Sequence, residues 1–216
     1  MAEEEINLRR SLVKVCKEMK LLGLTKGTSG NVSVRLKKRI FITPSGISYD
    51  KLGPEQIVEL DMDGNFTGDY FPSSEWRFHC DILRQRKDLN AVVHTHSLNA
   101  TAVSILGHDI PSIHYRIAAI GGPDIKCTDY ATFGTEVLAN LAVEAMKGLR
   151  ACLLAHHGVI AAHTSLGKAL EIAELVEELA SLYLLCLPMG QPPQLSSEEI
   201  DEVIVKHRTY GQQKND

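Results

Sequence analysis

Hydrophobic and polar positions change period several times along the chain, and each change marks an element. Leu8, Leu12, Val15, Met19 and Leu22 recur at spacings of four and three, the pattern of a helix packed by one face, and Gly23 supplies a C-terminal stop. Short β-prone runs follow at residues 32–34, 39–43 and 57–60, with a turn at Asp63-Gly64, and read as a meander of strands. From 74 to 84 the pattern is helical, with Ser73 or Ser74 as the cap. The apolar run Ala91-Val92-Val93 then leads into His94-Thr95-His96 as a buried strand. Helices are predicted near 98–106 and 134–146, and a strand pair around 156–160. A long helix over 166–187 is stopped by Pro188, Ser196-Ser197-Glu198-Glu199 opens a last helix, and 211–216 forms a loose polar tail. The sum is an α/β fold: a single three-layer domain over 1–216, with a largely antiparallel β-sheet covered by helices.

Composition narrows the partners. The net charge is -4 with acidic and basic residues interspersed, so no basic stripe marks a nucleic-acid or membrane surface, and an anionic ligand has to be held locally. The five cysteines are odd in number, widely spaced and mostly within apolar stretches, as expected for free thiols in a reducing compartment. The opening Met1-Ala2-Glu3-Glu4-Glu5 is acidic where a secretory signal is basic, and no apolar run approaches the ~20 residues of a membrane span. A soluble, cytoplasmic protein is expected.

Candidate chemistry starts at His94 and His96. Strand side chains alternate faces, so two imidazoles one residue apart project from the same side and can hold one metal ion. Glu75 lies upstream, and His156-His157 closes a second apolar run, 151–155. Three imidazoles and a carboxylate suit zinc, and a carboxylate that can leave makes such a site catalytic rather than structural. As strand neighbours His156 and His157 would point to opposite faces, so one of them binds, and spacing does not choose between them. His79, one helical turn after Glu75, is either an alternative ligand or a residue packed behind the ligands.

A second constellation is polar and glycine-rich: Gly27-Thr28-Ser29-Gly30-Asn31, Thr43-Pro44-Ser45-Gly46 and Ser73-Ser74. Such segments usually just make turns and caps. Here they also offer backbone amides, hydroxyls and a helix N-terminus to a phosphate, directly before Glu75.

With these blocks in view the chain resembles the class II zinc aldolases of sugar phosphates, within the aldolase, epimerase and adducin-head superfamily, and among them the branch acting on L-fuculose 1-phosphate. Besides the segments above, the match includes Pro72-Ser73-Ser74-Glu75-Trp76-Arg77, Ile113-His114-Tyr115, Tyr130-Ala131-Thr132-Phe133-Gly134-Thr135, His156-His157-Gly158 and Thr209-Tyr210-Gly211, in order along nearly the whole chain.

The resemblance implies one zinc ion per subunit, held by His94, His96, His157 and Glu75, with Glu75 also the catalytic acid/base. It implies phosphate contacts from Thr28, Gly30, Asn31, Ser45, Gly46, Ser73 and Ser74, a proton-donating Tyr115, and Phe133 and Tyr210 on the aldehyde side. It further implies a homotetramer with active sites between subunits, tyrosines reaching over from a neighbour. The expected reaction is reversible cleavage of a ketose 1-phosphate to dihydroxyacetone phosphate and an aldehyde such as lactaldehyde, the cation stabilising the enediolate as a Lewis acid. Alternatives are aldolases of 5-deoxyribulose or 5-methylthioribulose 1-phosphate, then a pentulose-5-phosphate 4-epimerase or a dehydratase. Of a different class is the non-catalytic adducin-type interaction domain, which lacks the metal ligands that this chain has.

Overall fold

Alternation along the strands sorts side chains between two helical layers. In the computed structural model, which describes residues 3–207, six strands form one sheet: β1 (Asn31–Leu36), β2 (Arg39–Ile42), β3 (Val58–Leu60), β4 (Ala91–Thr95), β5 (Ala151–Leu154) and β6 (Gly158–His163). Their spatial order is β3-β2-β1-β4-β6-β5, and every neighbouring pair is antiparallel. The helices are α1 (Glu3–Leu21), α2 (Trp76–Gln85), α3 (Leu98–Ile105), α4 (Glu136–Ala145), α5 (Leu166–Cys186) and α6 (Ser197–His207).

Val32, Val34, Val93 and Ala161 face one way, packing with Leu12 of α1, Val103 of α3 and Val176 of α5. Ile42, Val92, Cys152 and Ile160 face the other, packing with Phe78 of α2 and Leu138 of α4. Because both faces are covered, the inner strands read as continuous apolar runs, as Ala91-Val92-Val93 does. The three layers expected from the sequence are the layers found.

Boundaries differ where polar residues do structural work. α1 starts at Glu3 rather than near Leu8, because three glutamates favour its first turn and because buried Arg9 donates to buried Glu5 at 3.1 Å, a pairing that apolar spacing does not register. α2 starts at Trp76, so the expected cap at Ser73 or Ser74 is corrected: Glu75 is the N-cap residue. Ser73 instead shapes the turn before it, its carbonyl accepting from the Trp76 N–H at 3.1 Å and its hydroxyl from the Glu75 N–H at 3.3 Å. The polar tail expected at 211–216 lies outside the described residues.

The five cysteines are free, and burial pushes Cys80 up to about 12 and Cys127 up to about 11, so these thiols stay protonated at neutral pH. No described helix is long and apolar enough to cross a membrane.

Candidate active site

β4 is an inner strand, flanked by β1 and β6, and His94 on it stands opposite Asn31 and Ile160. Its Nδ1–H donates to the Val159 carbonyl at 2.8 Å, which fixes the tautomer and leaves the Nε2 lone pair facing outward from the strand. His96, just past the end of β4, brings its Nε2 to 2.9 Å from that atom. Glu75 completes the group from the start of α2, with Oε2 3.2 Å from His94 Nε2 and Oε1 3.2 Å from His157 Nε2.

The pair His156-His157 is not on a strand. It forms the tight turn between β5 and β6, where His156 takes a left-handed φ of 56°, so the alternation expected of strand neighbours does not apply. His157 joins the cluster, and His156 turns to the Tyr130 ring at 6.1 Å between centroids. His79 is not a ligand: it is fully buried, and its two ring nitrogens are taken by Ser33 and Asn31.

The donor set fits a divalent cation. Ligand atoms of Glu75, His94, His96 and His157 all lie within 4.8 Å of one another. Bonds of about 2.0–2.1 Å from nitrogen and oxygen to a tetrahedral ion would set neighbouring donors a little over 3 Å apart, close to the spacings found. Glu75 Oε1 is buried with no hydrogen-bond partner, a costly state unless a positive group stands there. Burial opposes ionisation of Glu75, but the adjoining His94 and His157 imidazoles outweigh it, and the carboxyl is held far below the usual carboxylate range. Burial, helped by His94 and His157, pushes His96 down to about 3, so it offers a lone pair at neutral pH.

Close packing holds this geometry. Gly158, directly after His157, sits against the Thr95 carbonyl with room for no side chain. Gly30, with φ of 77°, lies so near β4 that a Cβ would stand 2.7 Å from the His94 carbonyl oxygen. The loop carrying Gly30 is tied down by the Tyr49 hydroxyl, which donates to the Gly30 carbonyl at 2.8 Å.

Beside the cluster opens a cavity of about 340 Å³, within the size range of small-molecule sites. Thr28, Gly30, Asn31, Ser45, Gly46, Ser73, Ser74 and Phe133 all line it, together with Glu75, His96 and His157. Three separate segments converge because Thr43 N–H donates to the Val32 carbonyl, Ser45 N–H to the Phe71 carbonyl and Ser73 N–H to the Thr43 carbonyl, each at 3.0 Å. Among the described residues no lysine or arginine lines the cavity, so an anion there meets amides, hydroxyls and the cation site rather than cationic side chains.

Two wall residues, Tyr130 and His156, stand inside the matching blocks without a cavity role assigned from sequence, and only the fold brings them together. One N–H of the Asn31 amide is engaged with Glu75, to which its Nδ2 donates at 2.9 Å. Tyr115 is not in this cavity. It is half exposed on a 3-10 turn, Tyr115–Ile120, and lines a different groove with residues of α5 and α6. Tyr210 lies outside the described residues.

A family model described as Class II Aldolase and Adducin N-terminal domain matches residues 10–184. The chain belongs to this family. It is a class II aldolase, a lyase of a metal-dependent family. The L-fuculose phosphate aldolase of Escherichia coli K12 is 50% identical over 209 residues, covering 96% of this chain and 97% of that one. The 5-methylthioribulose-1-phosphate/5-deoxyribulose-1-phosphate aldolase of Rhodospirillum rubrum is 47% identical over 211 residues, covering 98% and 96%. A solved L-fuculose 1-phosphate aldolase superposes with a TM-score of 0.90 at 38% identity, covering 94% of this chain and 96% of that one. Class II aldolases thus resemble this chain along nearly its whole length, under two substrate names at similar identity.

Proposed function

We propose that the chain, as one domain over 1–216, reversibly cleaves a ketose 1-phosphate such as L-fuculose 1-phosphate to dihydroxyacetone phosphate and an aldehyde such as lactaldehyde, using one zinc ion per subunit. The observation that carries this reading is a single cavity with the Glu75, His94, His96 and His157 cluster at one side and the amide and hydroxyl lining of 28–31, 45–46 and 73–74 at the other. Zinc held by the three imidazoles and Glu75 would supply Lewis acidity for the negative charge left on the ketone fragment.

The chain's own groups account for the rest. Thr28, Ser45, Ser73 and Ser74 hydroxyls with the amides around Gly30 and Gly46 bind the phosphate and so set the sugar's register. Breaking the bond between C3 and C4 turns the C4 hydroxyl into an aldehyde and leaves the electron pair on C3. Glu75 carries the proton to C3, and in the direction of synthesis removes it. Tyr115 serves the aldehyde oxygen from a neighbouring subunit, because on its own subunit it lies outside the cavity. That supports a homotetramer with sites between subunits. Phe133, exposed at the cavity wall, faces the far end of the sugar. The protein acts in the cytoplasm on a small sugar phosphate.

A second reading, cleavage of 5-deoxyribulose or 5-methylthioribulose 1-phosphate, is favoured by the 47% identical relative of that name. One experiment separates the readings. The zinc-loaded protein is incubated with dihydroxyacetone phosphate and lactaldehyde, acetaldehyde, glycolaldehyde or methylthioacetaldehyde, and ketose phosphates are measured. Highest kcat/KM with lactaldehyde supports the first reading, and with acetaldehyde or methylthioacetaldehyde the second. No condensation with any aldehyde sinks both.

A further inference from the structure

Behind Glu75 runs a line of buried polar groups that neither the cation nor the phosphate needs. Asn31 and Ser33 alternate onto the α2 side of β1, and His79 lies one helical turn after Glu75 on α2. Asn31 Nδ2 donates to Glu75 Oε2 at 2.9 Å, His79 Nε2 lies 2.5 Å from Asn31 Oδ1, and Ser33 Oγ lies 2.7 Å from His79 Nδ1. His79 and Ser33 are fully buried, and Asn31 is 4% exposed.

Chemistry fixes the direction of every bond in this line. A carboxylate only accepts, so Asn31 turns its NH2 to Glu75 and its carbonyl to His79. A carbonyl only accepts, so the His79 proton is on Nε2, and the neutral ring offers its Nδ1 lone pair to the Ser33 hydroxyl. Burial, helped by the nearby His94 imidazole, pushes His79 down to about 3 against the pull of Glu75, in keeping with a neutral ring. The line ends on Oε2 alone, whereas Oε1 is buried with no hydrogen-bond partner.

We propose that His79 is a positioning residue for Glu75: through Asn31 it ties down Oε2 and leaves Oε1 as the oxygen that carries the proton. An asparagine amide can turn over about a broad, two-fold torsion. With His79 in place only one setting satisfies both of its ends. Turned over, the amide would set its carbonyl against the carboxylate and its NH2 against a ring N–H.

Nitrogen NMR on histidine-labelled protein tests the line without any turnover. His79 is expected as the Nε2–H tautomer from about pH 6 to about pH 9, with zinc or stripped of it, and an Nδ1–H or protonated ring overturns the proposal. Kinetics of His79→Gln and His79→Asn supply the second arm. The glutamine nitrogen falls near the place of histidine Nε2, the asparagine nitrogen near that of Nδ1. Glutamine is expected to keep kcat within about threefold, while asparagine lowers it about ten- to hundredfold with KM and zinc stoichiometry unchanged. Equal losses in both variants, or a loss confined to KM, overturn the proposal. The kinetic arm rests on the aldolase reading; if wild-type protein condenses no aldehyde, that reading fails and the NMR result alone decides the role of His79. If the asparagine variant does not fold, the NMR result and the glutamine rescue decide it.

Discussion

Glu177, midway along α5, caps the start of α3 by accepting the Ala100 N–H at 2.9 Å. The same carboxylate takes the backbone and side-chain N–H groups of Asn99 at 2.9 and 2.8 Å. Ser97 stands at the N-cap position, yet its hydroxyl is buried without a partner, so a side chain from another helix does its work. Because His96 immediately precedes Ser97, this contact also braces a member of the metal-site cluster. Glu177→Ala is expected to cost about 1–2 kcal/mol, the range for a lost cap, and to weaken zinc binding, measured by urea unfolding and chelator competition.

Gly158→Ala should damage the site through packing alone. Its Cβ would press on the Thr95 carbonyl oxygen and lie 3.1 Å from His96 Cδ2. Overpacking of this kind costs about 1–3 kcal/mol, and zinc affinity should fall with stability while the phosphate lining is untouched. Calorimetry with zinc titration checks both.

Glu75→Gln separates holding the cation from moving the proton. The amide keeps a weak oxygen ligand but cannot shuttle a proton, so zinc should remain partly bound while kcat drops about a hundredfold or more. Retention of the full rate would remove Glu75 from its assigned role.

His163 makes a pH prediction away from the site. Burial, with the nearby Arg150 and Lys168 charges, pushes it down to about 4 from its ordinary value of 6.5. Below 6.5 the unfolded chain takes up a proton that the folded one refuses until about 4, so stability is lost as pH falls through that window. Urea midpoints of the wild type should therefore drop between those two values, and His163→Gln should drop less.

Tyr115→Phe is expected to lower kcat while leaving zinc stoichiometry intact. Mixed and reassembled with Glu75→Gln subunits it should regain activity, because some sites then pair an intact Glu75 with a neighbour's intact Tyr115. Activity no higher than the sum of the two variants would show that Tyr115 does not act across subunits.

Much of the site is legible in the sequence because it hangs on period-two alternation. Asn31, Ser33 and His94 share a face for the same reason that Val32, Val34 and Val93 share the other. The choice between His156 and His157 is not legible, since it depends on a left-handed turn whose residue is not glycine. Nor is the use of Asn31: a glycine-rich loop suggests an anion, while the buried Glu75 carboxylate at the start of α2 takes one N–H of its amide. Helix boundaries at Glu3 and Trp76 elude hydrophobic spacing because ion pairs and a serine turn set them.

The placement of β4 inside the sheet divides the molecule by how often its parts open. The amides of Val92 and Val93, between β1 and β6, should exchange with solvent only when the whole fold comes apart. The cavity wall at Tyr130 and Phe133 belongs to an irregular segment with exposed rings, which opens at far lower free energy. Mutations there are absorbed locally, whereas mutations around His94 are charged against global stability. A lineage can therefore alter the cavity wall while the floor that carries the histidine cluster stays frozen.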